Sequence, residues 1–313
     1  MPPVRIHAAA YAMTAGLDAD AEGDLYARLS RLGLAGLEQP FFAGGRLHHR
    51  DDAWLLDRLD PSWSLVLTLL PGEMERLKDD KHFGLASADE DGRRRALDFA
   101  EAARRTLEHL SRHLGRPAAL AVQVHSAPRL AGSGAVSSPE KLAESLSTLR
   151  ALDWLGATLL VEHCDAPVAG RASDKGFLRV EDEVLALKRS KGRTPARLSV
   201  NWGRSALETR SADGPLEHLA RATQAELLGG LFFSGVTPAH PDYGAWKDSH
   251  APFSTTTPES LLTPEAAGRA LAAAPDCPIF GLKLQTLPAS LPVARRVEVL
   301  SDGLTVLRSQ EPA

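Results

Sequence analysis

The chain has 313 residues, 43% of them hydrophobic and 24% charged, enough apolar material for a large core in one domain or two. A formal charge of −4 with both signs interspersed leaves no basic face for nucleic acid, and Arg93-Arg94-Arg95 reads as a solvated helix start beside Asp89, Glu90 and Asp91. Cys164 and Cys277 stand in unrelated contexts and argue against a disulfide framework or a thiolate metal site, while Met1-Pro2-Pro3-Val4-Arg5 carries no apolar leader and no run suffices to span a membrane. The expectation is therefore a cytoplasmic protein.

In chain order, short apolar runs bounded by turn residues predict strands near 4–12, 34–42, 64–71, 118–126, 157–163, 196–202, 230–237 and 278–286. Helical periodicity falls between them, near 20–33, 50–59, 92–114, 139–155, 180–191, 215–228, 264–274 and 291–299. Ser137-Ser138-Pro139-Glu140 and Thr263-Pro264-Glu265 are good helix starts, because proline is tolerated at the first helical position. Strand-helix alternation repeated eight times, with no composition break, predicts one α/β domain over 1–313, a (β/α)8 TIM barrel.

Loop lengths argue the same way. Helix-to-strand links such as Gly115-Arg116-Pro117 and Gly156-Ala157 are brief, whereas the strand-to-helix links 72–91, 127–138, 164–179, 203–214 and 238–263 are long. A barrel builds its active site on the second set, at the C-terminal face.

Alternation within the strands sorts side chains by face. Leu120, Val122 and Val124 oppose Ala121, Gln123 and His125; Leu198, Val200 and Trp202 oppose Ser199 and Asn201; Phe280, Leu282 and Leu284 oppose Gly281, Lys283 and Gln285. The apolar sets belong against the helices, so the polar sets line the interior and its mouth. In Leu159-Leu160-Val161-Glu162-His163-Cys164-Asp165, Glu162 then points inward and His163 outward at the rim, and Glu38 ends the second strand as Glu162 ends the fifth. Glu38, His125, Glu162, Asn201 and Lys283 form the expected centre. An inward lysine is hard to dismiss because burial without a partner is costly, although a structural Glu162–Lys283 ion pair would also explain both residues.

The segment Pro238 to Thr263 is too long and too rich in His, Asp and aromatic residues for a plain connector. It reads as a lid or pocket wall, in which Trp246 and Tyr243 offer stacking faces and Asp248 and His250 offer hydrogen bonds; a self-packed surface loop is the alternative. Trp202-Gly203-Arg204 puts a guanidinium at the mouth, suited to an anionic or hydroxyl-bearing ligand unless it pairs with Glu208 or Asp213.

Gly36-Leu37-Glu38, Val124-His125 and Leu160-Val161-Glu162-His163, taken with their order along the chain, resemble the xylose isomerase-like TIM barrels, a superfamily of sugar isomerases, sugar-phosphate epimerases and apurinic endonucleases. Ser199-Val200-Asn201-Trp202-Gly203-Arg204 and Trp246-Lys247-Asp248-Ser249-His250 resemble an uncharacterised bacterial branch of that superfamily, of the domain-of-unknown-function kind. The resemblance implies a small carbohydrate-like substrate and, in many members, a divalent ion such as Mn, Mg or Zn held from strands five to eight. Only Glu162 keeps that pattern, since Asn201, Ser234 and Lys283 stand at the other positions; the expectation is no metal, or one rebuilt on Glu162 with His163, Asp165, Asp248 or His250.

The function expected is isomerisation or epimerisation by proton transfer next to a carbonyl. Glu162 is cast as base, Lys283 and His125 as catalytic partners, and Glu38, His163, Asn201, Trp202, Arg204, Trp246, Asp248 and His250 as substrate-binding. A Schiff-base aldolase or lyase using Lys283 and a non-catalytic sugar-binding barrel are the alternatives.

Overall fold

The structure, a computed structural model, describes residues 5–130 and 133–310; the opening residues 1–4, read above for a leader and for the start of the first strand, lie outside it. Eight parallel strands close into a barrel in sequence order. They are β1 (Ile6–Ala8), β2 (Gly36–Pro40), β3 (Ser64–Thr68), β4 (Ala119–Val124), β5 (Thr158–His163), β6 (Ala196–Asn201), β7 (Leu228–Phe233) and β8 (Phe280–Leu282), with β8 pairing back onto β1.

The strands are shorter than the apolar runs predict, because the residues beyond them serve other ends: Ala10–Met13 after β1 forms a 3-10 turn, and Ser234 and Lys283 stand just past β7 and β8. The helices are α1 (Ala19–Leu29), α2 (Asp52–Leu56), α3 (Leu70–Asp79), α4 (Glu90–Leu114), α5 (Pro139–Arg150), α6 (Val180–Arg189), α7 (Trp202–Thr209), α8 (Gly214–Gln224), α9 (Pro264–Ala272) and α10 (Val293–Ser309).

Two of these lie where the sequence reads as loop. In α3, Leu70-Pro71-Gly72 looks like a turn, yet its proline sits in the first helical turn, where no N–H is missed. In α7 the chain passes from strand to helix without a connector: Asn201 ends β6 and its side-chain oxygen accepts from the Arg204 backbone N–H, capping the helix it starts. Both unpredicted helices carry residues of the site.

The core has two shells. Val66, Ala121, Leu160, Phe232 and Ile279 fill the barrel interior toward its N-terminal end, while Val122, Val124, Val161, Leu198 and Val200 join the larger layer between barrel and helices. A Cβ at Gly281 would stand 2.1 Å from the Phe232 ring, so the glycine is what lets that ring cross the interior. Leu120 departs from the predicted helix-facing set: the register of β3 on β4 slips between Leu65 and Val66, and Leu120 is left 48% exposed.

Candidate active site

At the C-terminal ends of the strands the apolar interior gives way to a buried network centred on Glu162. One oxygen, Oε2, is 2.7 Å from Arg204 Nη1 and 2.9 Å from His125 Nε2; the other, Oε1, accepts from Asn201 Nδ2 at 3.2 Å. Asn201 is itself fixed, its Oδ1 accepting from Ser234 Oγ at 2.8 Å. Arg204 continues to Asp248, whose Oδ2 accepts from Arg204 Nε at 3.0 Å and from Lys175 Nζ at 2.8 Å. His250 stands 3.2 Å from the other Asp248 oxygen. Across the mouth, Lys283 Nζ donates to Glu38 Oε1 at 3.1 Å and lies 5.3 Å from the centre of the Tyr11 ring.

The electrostatics follow from this list. Burial alone would raise the Glu162 carboxyl, but Arg204, His125 and Lys283 outweigh it and hold the group well below the usual carboxylate range. Asp248 is likewise buried and held well below its usual range by Arg204 and Lys175. Glu38 goes the other way: burial and the nearby Glu162 charge raise it against the pull of Lys283. Burial works against the Lys283 ammonium, yet Glu38 and Tyr11 overcome it and the amine is held protonated. His125 is buried between Glu73 Oε2, 3.0 Å from its Nδ1, and Glu162, and these carboxylates lift it from 6.5 to about 9 in spite of burial. Burial pushes His250 down to about 3, so it is neutral.

Glu38, His125, Glu162, Asn201, Lys283, Arg204, Asp248 and His250 thus come together at one mouth. The alternative of a structural Glu162–Lys283 ion pair does not form, since Lys283 pairs with Glu38, and Arg204 takes Glu162 and Asp248 as partners instead of Glu208 or Asp213. Two residues cast as substrate-binding lie elsewhere. Trp202 is buried in the apolar layer between barrel and helices, as its alternation with Leu198 and Val200 requires. His163 faces outward from β5 into a separate buried cluster, its Nδ1 2.7 Å from Glu183 Oε2 and its Nε2 3.2 Å from Glu208 Oε2; it shares no ligand position with Glu162. Asp165 accepts from the backbone N–H groups of Asp174 and Lys175, shaping the loop that presents Lys175.

In the long segment, Trp246 is half-buried with the Arg210 guanidinium 4.7 Å from its ring centre, and the Tyr243 hydroxyl donates to the Gln285 carbonyl, tying the segment to the chain after β8. Sequence reasoning missed Glu73, Tyr11 and Lys175. Tyr11 shares the alternation of His7 in the 4–12 run and was within reach of that logic; Glu73 was hidden in an unrecognised helix, and nothing local marks Lys175.

Residues 8–299 match the family described as Domain of unknown function (DUF4862). The chain belongs to this family. It is 33% identical over 278 residues to the uncharacterized protein STM3670 of Salmonella typhimurium strain LT2, covering 88% of this chain and 86% of that one. Among solved structures it is similar to a putative xylose isomerase from Rhodospirillum rubrum, with a TM-score of 0.60, 12% identity and 99% of each chain covered. It is also similar to the 3-keto-D-glucoside 4-epimerase YcjR from E. coli, at TM-score 0.57 and 13% identity over 90% of this chain and 92% of that one. A third is D-psicose 3-epimerase from Clostridium cellulolyticum H10, at 0.55 and 14% over 97% and 96%. At these identities the likeness is one of fold: this DUF4862 chain is a (β/α)8 barrel similar in fold to the xylose isomerase-like proteins.

The divalent ion implied by that fold group does not fit the residues at this mouth. His125, Glu162 and Cys164 bring ligand atoms within 4.8 Å of one another, but Arg204 Nη1 is already 2.7 Å from Glu162 and 3.5 Å from Cys164 Sγ. Asn201 turns its NH2 toward Glu162, and burial holds the Cys164 thiol protonated. A guanidinium stands where a cation would have to bind. No described helix is long and apolar enough to cross a membrane.

Proposed function

We propose that this barrel isomerises or epimerises a small sugar or keto-sugar by moving a proton at the carbon next to a carbonyl, with Glu38 as the proton carrier. The observation that carries the reading is the buried Glu38–Lys283 pair, in which Glu38 Oε2 has no hydrogen-bond partner among the described residues. A base at carbon needs a free oxygen and an affinity for protons above that of an ordinary carboxylate, and Glu38 has both. Glu162 was the base expected from sequence. With both oxygens engaged and its affinity for protons depressed, it is better suited to hold Arg204, His125 and Asn201 in place.

Lys283 spends one N–H on Glu38, and its remaining donors suit the oxygen of an enediolate as charge develops there. The Tyr11 hydroxyl, buried and unpartnered among the described residues, is a second donor beside it. The fold neighbours 3-keto-D-glucoside 4-epimerase and D-psicose 3-epimerase favour the carbohydrate class of substrate. The Schiff-base alternative asks for a neutral amine, whereas Glu38 and Tyr11 hold Lys283 as an ammonium.

The test is a screen of aldoses, ketoses and oxidised sugars by NMR for deuterium incorporation from heavy water. Exchange at a carbon beside the carbonyl is expected for at least one class. Binding without exchange in every class would make the protein a sugar-binding module, and a lysine adduct trapped by borohydride would make it an aldolase or lyase.

A further inference from the structure

The outward face of β5 carries a second polar cluster, separate from the barrel mouth, built from β5, α6, α7 and α8. His163 and His218 point their Nε2 atoms at the same carboxylate: His163 Nε2 is 3.2 Å from Glu208 Oε2 and His218 Nε2 is 3.7 Å from Glu208 Oε1. The two rings meet edge to face with centres 4.6 Å apart. All three ligand atoms lie within 4.8 Å of one another.

Each ring is fixed from behind. His163 Nδ1 is 2.7 Å from Glu183 Oε2, and His218 Nδ1 is 2.9 Å from Ser205 Oγ. Glu183 is held in turn by Ser126 Oγ, and Glu208 Oε2 also accepts from the Ala166 backbone N–H at 2.7 Å. A carboxylate or hydroxyl behind the Nδ1 of each ring is the arrangement that aims Nε2 lone pairs at a metal.

The front contacts are long for charge-assisted hydrogen bonds, which run at about 2.7–2.9 Å. They run to the two separate oxygens of Glu208 and leave one ligand atom from each residue within 4.8 Å of the others, near enough to share one ion at metal–ligand bonds of about 2.0–2.2 Å after small side-chain shifts. The His163–Glu183 contact, at 2.7 Å, has the length of a true hydrogen bond.

We propose that His163, Glu208 and His218 bind one divalent transition ion of the zinc class between β5, α7 and α8. Two imidazoles and a carboxylate are the donor set of such an ion rather than of calcium or magnesium. The Glu208 side chain is 12% exposed, so solvent reaches this edge of the cluster. An ion here clamps the outer face of β5 to α7, the helix that carries Arg204, and so holds the register of the strand that presents Glu162. His163, His218 and Glu208 act through position and touch no reacting atom.

The experiment uses the full chain stripped with EDTA and titrated with Zn2+ against a chromophoric chelator, then with Co2+ read by its visible absorption. One equivalent of tight Zn2+ and the intense visible bands of four-coordinate Co2+ are expected. His218→Ala should weaken binding by about 100-fold, and Ser205→Ala, which touches only the back of the ring, by about 10-fold. Glu162→Gln should leave binding unchanged. Stoichiometry far below one, or His218→Ala binding as the wild type does, would overturn the site; loss of binding in Glu162→Gln would move the ion to the barrel mouth and overturn it equally. Circular dichroism confirms that each variant is folded, and Ser205→Ala keeps the test decisive if His218→Ala is not.

Discussion

Glu162 and His163 are neighbours in sequence and lie at the end of one strand, yet they enter two different networks. Glu162 turns into the barrel, where Arg204, His125, Lys283 and Lys175 are set against Glu162, Asp248, Glu38 and Glu73, and where Glu38 Oε2, the Tyr11 hydroxyl and the Gln123 amide have no partner among the described residues. His163 turns outward into a group that closes on itself, with Glu183, Ser126, Ser205 and the Ala166 N–H all engaged around two rings and one carboxylate. The comparison separates a polar site with valences left over for a substrate from a polar site whose valences converge on a point. The period of two along a strand is enough to divide them.

The largest expected effect is at the junction of the inner network. Arg204→Met leaves Glu162 and Asp248 buried without their shared cation, and should lower unfolding free energy by about 3–5 kcal/mol in a urea titration. A loss below about 1 kcal/mol would mean that water and Lys175 compensate, and that the inner network is looser than its distances indicate.

A pH series sharpens the contrast further. His125 is raised from 6.5 to about 9, so its contribution is fully present below 6.5 and is lost as pH climbs toward 9. His125→Asn should therefore abolish part of the decline in stability over that window, roughly 3 kcal/mol by the proton-linkage conversion. Identical alkaline limbs in variant and wild type would contradict the assignment of His125 as an imidazolium between Glu73 and Glu162.

Glu162→Gln keeps the shape and the Asn201 contact but removes the charge that orients Arg204 and His125. The fold should persist and turnover should fall by about 10²-fold, the scale of a displaced positioning group. Unchanged turnover would show that the inner network is scaffold alone. At the small end, Trp246→Ala removes the ring beneath Arg210 and should cost about 0.5–1 kcal/mol with little effect on turnover. A collapse of activity would instead place Trp246 on the substrate surface.

The barrel was legible because its signal repeats: eight apolar runs, brief returns and long outgoing loops each point to the same architecture. The inward positions of His125, Glu162, Asn201 and Lys283 followed from alternation alone. What stayed hidden was set by tertiary structure. Which carboxylate Lys283 takes, Glu38 rather than Glu162, was not legible, because pairing across a closed sheet depends on tilt and stagger that a linear pattern does not carry. Glu73 was lost with α3, whose Pro-Gly start imitates a turn, and Arg204 was read as a loop residue because α7 follows β6 without a break. The outer cluster gathers residues from β5, α6, α7 and α8, and each of these elements supplies only one of its ring or carboxylate groups.

The role of Glu38 as proton carrier is tested by the rate of deuterium incorporation into a sugar that the wild-type protein exchanges, measured again in Glu38→Gln with binding followed by the ligand's own line broadening. Binding should survive while exchange falls by about 10²–10⁴-fold, the usual contribution of a general base. Exchange at the wild-type rate in Glu38→Gln would contradict that role.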